Sequence, residues 1–539
     1  MLKGFHIRLL SLLGVGTMAA LAACVSVAPS ATQPPEQAEE PTATAEAPTP
    51  VGQISENIGV YAVPGDIPSL DPPYMLSEDT IVGFNVYETL TFWDPEKGVV
   101  PKLATSWESN QDGKEWTFHL REGVTFHDGT PLTANDVKTS LDRNIEVGMV
   151  AYDFIGIESI EVTDEQTIRF IASEPRNLPL ILTAQYGMFI YNAAGAEKGS
   201  EWFAQGNDAG TGPYLIESFE PAKRVVLAQY KDYWGGWEEG QFTKVILEIV
   251  EDPTVRDQMI RSGEADITFE LPFDSIETME SIEELTVFPY QPLAHLVAGF
   301  DLDNPPLDNL LVRKALAHSF PYEAVQEGIF LGYGEIPKGF GPNSLWNPPE
   351  DFPRYEFDLD KAKALLEEAG FGEGFELKLA LSTGAKETRE AMELWQGELL
   401  KLKIKLNIQE LSGGAFWDYA YNPDNEEFQI FVVPASGDVP SPYAWLICYT
   451  SSPLGWMPYV GYNNPEFDSL VFEAWAKEAT NPDEARSLWI EAQRILYENA
   501  VSVFALDYPY VAVYRDDLVG FEANPPYPYI VFWYDLRRK

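Results

Sequence analysis

The chain has 539 residues, 45% hydrophobic and 13% aromatic, and its 36 Lys and Arg against 84 Asp and Glu give a formal charge of -48. That acidic balance excludes nucleic acid and an anionic membrane face as partners, because both would be repelled. The apolar content suffices for a large core, and the length predicts two or three domains.

Lys3 and Arg8 form a positive n-region, the run from Leu9 to Leu21 is apolar and free of acids, and Leu21-Ala22-Ala23-Cys24 closes it. This pattern resembles a signal peptide ending in a bacterial lipobox. The apolar run is shorter than the roughly 20 residues that a permanent membrane-spanning helix requires. Residues 1–24 are therefore expected to direct export, with lipid attached to the Cys24 thiol. Residues 25–53 are almost only Ala, Pro, Thr, Ser, Val, Gln and Glu, which cannot bury a core, so a disordered linker is expected. With Cys24 lipidated, Cys448 stands alone in the apolar run from Ala444, excluding an internal disulfide and predicting a buried small hydrophobe.

In the body, a strand is predicted from Ile58 to Val63, followed by a turn at Pro64-Gly65-Asp66 and an amphipathic helix from Asp79 to Leu90. Alternation from Trp116 to Leu120, a turn at Arg121-Glu122-Gly123 and a second run from Val124 to His127 predict a hairpin. Thr133 with Asp136 three residues on forms a capping box for a helix from Ala134 to Asn144. Strands are predicted from Ile157 to Val162, Thr167 to Ile171, Val225 to Gln229 and Val245 to Val250. Helices follow from Asp360 to Ala369, stopped by Gly370, and from Pro482 to Glu498, capped by Asn481. The mixture of periods is that of an α/β protein without internal repeats.

Five histidines are present, and none falls in an HExxH motif or another close ligand cluster. GxSxG, Walker A and GxGxxG motifs are absent; Gly210-Thr211-Gly212 lacks a third glycine and precedes Pro213. No constellation points to catalysis, and neither cofactor nor metal is implied.

Tyr87-Glu88-Thr89-Leu90, Pro101-Lys102-Leu103-Ala104, Ser106-Trp107-Glu108 and the stretch from Asp112 to Val137 resemble hallmark segments of family 5 extracellular solute-binding proteins, the oligopeptide- and dipeptide-binding components of ABC importers and their relatives. Gly212-Pro213-Tyr214 with Tyr233-Trp234-Gly235, the stretches Leu307 to Ala315 and Asp360 to Gly370, Tyr462-Asn463-Asn464-Pro465 with Asp468, and Ala485 to Tyr497 continue the likeness in order. The resemblance implies an α/β, bilobed periplasmic-binding-protein-like fold (type II, large cluster) with an extra subdomain inserted in the first lobe. Lobe I is expected from 54–84, 205–300 and 505–539, the insertion from 85–204, and lobe II from 301–504. Ligand would lie between lobes that close over it.

The same resemblance implies a ligand site. Asp438 matches an aspartate that meets the ligand's ammonium group in peptide-binding relatives, where a charge-assisted bond in a closed cleft is strong. A loop carboxylate accepting backbone amides is the alternative for Asp438. Backbone at Asp66, Ile67 and Pro68 corresponds to a segment pairing with peptide, Ser436 shares the Asp438 segment, and Tyr443 and Trp445 could wall the pocket or belong to the core. Val432 and Ala435 stand where oligopeptide binders carry arginine and tryptophan, and Ser441 where an acid is frequent. A peptide is the leading expectation, an oligosaccharide the alternative within the family, a secreted hydrolase a distant one, and nickel is disfavoured by the scattered histidines. The expected partners are a small solute, the permease and ATPase subunits of an ABC importer, and the membrane through the lipid; the protein is expected to be a monomer facing the periplasm or cell exterior.

Overall fold

The computed structural model describes residues 58–339, 341–346, 348–422, 425–452 and 460–539. The signal segment, Cys24 and the 25–53 linker lie outside the described residues.

A seven-stranded sheet is built around Ile58–Val63, which runs parallel to Lys244–Ile249 on one side and to Ile267–Thr268 on the other. Tyr214–Glu220 and Arg224–Gln229 extend one edge antiparallel, and Tyr510–Arg515 and Leu285–Tyr290 the other. The alternation that predicts these strands decides their faces: Val225, Leu227, Val245 and Leu247 point into one apolar cluster with Tyr61 and Trp533.

A five-stranded sheet follows the order Lys405–Leu411, Glu376–Ser382, Ile430–Ser436, Ala294–Phe300 and Ser502–Asp507. Ala294–Phe300 is buried at every position and apolar on both faces apart from His295, as a central strand covered by helices must be. Helix Lys386–Lys401 packs on this sheet through Trp395, and Pro482–Asn499 buries Ala485, Trp489, Ala492 and Leu496. The chain passes from the first sheet to the second between Tyr290 and Ala294, and returns between Asp507 and Tyr510.

A four-stranded antiparallel sheet, Ala104–Ser109, Glu115–Leu120, Thr167–Ala172 and Ile157–Asp164, carries helix Ala134–Val147 on one face. The capping box forms as the sequence predicts, and Gly148 ends this helix with φ 77°. The expected hairpin from Glu115–Leu120 into residues 124–127 does not form. The partners of Glu115–Leu120 are Ala104–Ser109 and Thr167–Ala172, and the 124–127 run makes only a bridge from Thr125 to Pro131. Phe126 and His127 are instead held by hydrogen bonds to Thr130 and Gly210.

The helix expected from Asp79 to Leu90 ends at Val86. Gly210 and Gly212 press their backbones against Val86, leaving no room for a Cβ, and Glu88 turns into a bridge with Ile190. The buried Glu88 carboxylate accepts from Thr211 Oγ1 at 2.8 Å, Tyr233 hydroxyl at 2.9 Å and Trp234 Nε1 at 3.0 Å, and pairs with Lys102 at 3.3 Å. The segment Tyr87-Glu88-Thr89-Leu90 is thereby a structural knot joining distant parts of the chain. Among the described residues, no helix is long and apolar enough to cross a membrane.

Candidate functional site

Strand Ile430–Ser436 ends at Gly437-Asp438, and Pro440 and Pro442 then direct the chain into the short helix Tyr443–Leu446. The turn is packed from below by Trp445, whose ring would stand 2.3 Å from a Cβ at position 437. Only glycine fits there. Ser436 is half-buried, and its hydroxyl donates to the Leu293 carbonyl at 3.3 Å, tying the turn to the passage between the two large sheets.

Asp438 is 4% exposed, and its carboxylate accepts from the Tyr152 hydroxyl at 2.6 Å and from its own and Val439's backbone N–H. Its carbonyl accepts from Gln185 N–H at 2.9 Å. Tyr443 donates to the Tyr152 carbonyl at 3.0 Å and stacks on Trp475 with centroids 3.5 Å apart. The Arg176 guanidinium lies over Trp475 at 3.9 Å. Tyr152, Arg176 and Gln185 belong to the segment around the four-stranded sheet, so Asp438 sits where that segment meets the end of a strand from the five-stranded sheet.

Asp153, 1% exposed, lies close enough to Asp438 for one carboxyl to act on the other. Burial pushes the Asp153 carboxyl well above the ordinary range, with the Asp438 charge acting in the same direction. Asp438 is raised too, first by burial, but Tyr152 and two backbone amides favour its ionised form. The sequence does not single out Tyr152, Asp153 or Gln185: they stand in turns, without periodicity or motif, and only the tertiary contact reveals them.

Asp66 is exposed and takes Ile67 N–H on its own Oδ1 at 2.8 Å; Ile67 is buried and Pro68 exposed. No hydrogen bond among the described residues joins Asp66, Ile67 or Pro68 to Asp438. The two regions are related through the half-buried Tyr186, whose hydroxyl feels the charges of Asp438, Asp79 and Glu78, while Glu78 in turn feels Glu270 and Asp66. Burial raises Asp79 to about 7, and Glu387 is likewise raised by burial. Arg256, beside this acidic series, donates to the carbonyls of Val250, Glu251 and Glu270. Val432 and Ala435 lie in two different apolar clusters on opposite faces of their strand, so neither position offers a polar group to a ligand.

The arrangement suits a cation. The ring nitrogens of the buried His127 are both committed, to the Asp208 carboxylate and to the Gly212 carbonyl. Among the described residues no three His, Cys, Asp or Glu side chains gather as a metal site. A cavity of about 480 Å³ lies elsewhere, between Phe92, Phe521 and Arg537, and none of the residues singled out above lines it.

A model of the family described as bacterial extracellular solute-binding proteins, family 5 Middle, matches residues 98–455. The chain is 27% identical over 486 residues to the probable D,D-dipeptide-binding periplasmic protein DdpA of Escherichia coli, covering 88% of this chain and 92% of that one. It is 26% identical over 436 residues to heme-binding protein A of Haemophilus influenzae, covering 75% and 78%. The fold superposes with a TM-score of 0.78 on the periplasmic binding protein DppA from Helicobacter pylori in complex with the peptide STSA, at 22% identity, covering 89% of this chain and 98% of that one. The architecture is thus the bilobed α/β fold of type II periplasmic binding proteins.

Proposed function

The chain belongs to the family 5 bacterial extracellular solute-binding proteins, and from that premise we propose that it captures a peptide between two lobes and hands it to the permease of an ABC importer. The observation that carries this reading is Asp438: a carboxyl group buried at the end of a strand of one large sheet and covered by Tyr152 from the other side. A peptide's terminal ammonium is the ligand group that such a carboxylate holds best in a cleft shielded from water.

In this reading the peptide backbone pairs with the 66–68 segment. Gly437, Ser436 and Trp445 hold the turn in place, and Tyr443 steadies Tyr152. Lobe I is built on the seven-stranded sheet, with an insertion at 85–204, and lobe II on the five-stranded sheet, so that the boundaries fall at 291–293 and 508–509, where the chain passes between the sheets, rather than at 300 and 505 as expected from sequence, and closure turns on these passages. The protein is exported, anchored through lipid on Cys24, monomeric and without catalytic activity. The curated relative named for D,D-dipeptide binding supports a peptide.

The test is calorimetry with di- to pentapeptides and their N-acetylated forms. Asp438→Asn is expected to weaken binding of free-amine peptides by about 1.5–3 kcal/mol, the range for hydrogen bonds to charged groups. Unchanged affinity would remove Asp438 from the site.

A further inference from the structure

We infer that the cavity between Gln291, Pro292, Glu335, Asn343 and Asp507 is a side-chain subsite of the ligand cleft, taking an ammonium or guanidinium group and so selecting peptides that carry Lys or Arg. The inference rests on the peptide reading above and adds to it the charge class of the preferred side chain.

The location follows from the register of the five-stranded sheet. Ile430–Ser436 and Ser502–Asp507 both pair with Ala294–Phe300, Ser436 standing opposite Ala294 and Asp507 opposite His295. Asp438 and Asp507 thus lie at the same end of the sheet, on either side of its central strand. Two strand spacings, about 10 Å, separate the two strand ends. Gln291 and Pro292 belong to the passage that enters the central strand, and Asp507 opens the return passage, so both crossings between the large sheets line the cavity.

Hydrogen bonds fix the walls. Asp507 N–H donates to the Glu335 carbonyl at 2.7 Å and Glu335 N–H to the Asp507 carbonyl at 3.3 Å. Asp507 Oδ2 accepts from the Asn343 N–H at 2.7 Å, and Asn343 Nδ2 donates to Glu335 Oε2 at 3.0 Å. Asp507 is 2% exposed, yet no donor reaches its Oδ1 among the described residues, and none reaches the buried Gln291 Oε1. His295 Nδ1 stands 3.8 Å from Asp507 Oδ1, beyond hydrogen-bond reach, and burial lowers His295 to about 3, so it brings no countercharge. Among the described residues no Lys or Arg lines the cavity. A buried carboxyl oxygen left without a partner is costly. An asparagine would serve the Asn343 N–H as well; what the acid adds is the capacity to hold a cation. Burial, with Glu335 acting in the same direction, pushes the Asp507 carboxyl well above the ordinary range, and a cation in the cavity would draw it back to the charged form, its proton passing to solvent.

Size decides between a whole ligand and a part of one. At about 220 Å³ the cavity is smaller than the roughly 300–1,000 Å³ of a site that encloses a small molecule, and it suits one side chain. An extended peptide advances about 3.3–3.6 Å per residue, so with its ammonium at Asp438 the side chain of its second or third residue can span the distance to Asp507.

Calorimetry at pH 7 with Ala-Ala-Ala, Ala-Lys-Ala and Ala-Ala-Lys tests this. The better of the two lysine peptides is expected to bind the wild type roughly tenfold more tightly than Ala-Ala-Ala, the scale of one charge-assisted hydrogen bond. That ratio is expected to fall to about one in Asp507→Asn, which keeps an acceptor for the Asn343 N–H. A ratio near one in the wild type, or a tenfold ratio that persists in Asp507→Asn, would overturn the subsite and leave the Asp438 reading intact. Thermal shift with n-butylammonium and n-butylguanidinium, the side-chain groups alone, reads the cavity without a peptide: millimolar cation is expected to raise the melting temperature of the wild type and not that of Asp507→Asn. With all three peptides silent, a shift confined to the wild type upholds the cavity as a cation site while the peptide reading fails; an absent shift, or one shared by Asp507→Asn, overturns both. Should Asp507→Asn fold poorly, Glu335→Gln at its exposed position removes the second carboxylate and is expected to lower the same ratio, and an unchanged ratio there counts against the subsite.

Discussion

Gly437 has no side chain because the Trp445 ring fills the volume a Cβ would take. Gly437→Ala is expected to cost about 1–3 kcal/mol by overpacking, and chemical denaturation of the variant checks it. Glu478 supports the same turn from the next layer: half-buried, it accepts from Ser441 Oγ at 2.7 Å and Trp489 Nε1 at 3.0 Å, and desolvation raises its carboxyl to about 7. Because the folded protein keeps a proton that the unfolded chain releases near the ordinary glutamate value, stability falls as pH rises from about 4.5 to about 7. Glu478→Gln should therefore gain on wild type by up to about 3 kcal/mol above pH 7, with no gain below pH 4.5. Melting curves at pH 4.5 and 8 check the sign, and a difference independent of pH would refute it. Asp438 could be singled out from sequence because it stands in a segment with a family likeness. Tyr152 could not, since its partner Asp438 is far away along the chain.

Elements were legible where one local rule decides them. The capping box at Thr133 and Asp136 predicts its helix start because both hydrogen bonds are made within four residues. Thr133→Ala is expected to cost about 1 kcal/mol, measured by urea unfolding. Asn481 and Pro482 likewise open the long helix Pro482–Asn499, and Gly370, with φ 83°, follows the helix Leu359–Glu368. The elements misread are those whose ends depend on distant partners. Residues 124–127 carry a strand pattern, but Thr167–Ala172 occupies the edge of Glu115–Leu120 that they would need. The helix beginning at Asp79 stops at Val86 because Gly210 and Gly212, more than a hundred residues away, reach its last turn.

At the scale of the molecule, the ordered likeness in sequence and the matched architecture agree on a bilobed solute-binding protein, and the contacts around Asp438 join the segment around the four-stranded sheet to the end of a strand of the five-stranded sheet. Tyr152 and Gln185 come from one side and Asp438 and Tyr443 from the other, so a ligand that completes these contacts should favour closure. Small-angle scattering is expected to show a smaller radius of gyration on addition of a bound peptide, and no compaction would argue against a closing cleft. The measurement that tests the central claim most directly is calorimetric titration of wild type and Asp438→Asn with peptides bearing free or acetylated amino termini. The account predicts binding of the free-amine forms to the wild type, and at least a tenfold loss in Asp438→Asn and on acetylation. Equal binding of acetylated and free peptides, or a response to oligosaccharides with peptides silent, would contradict it.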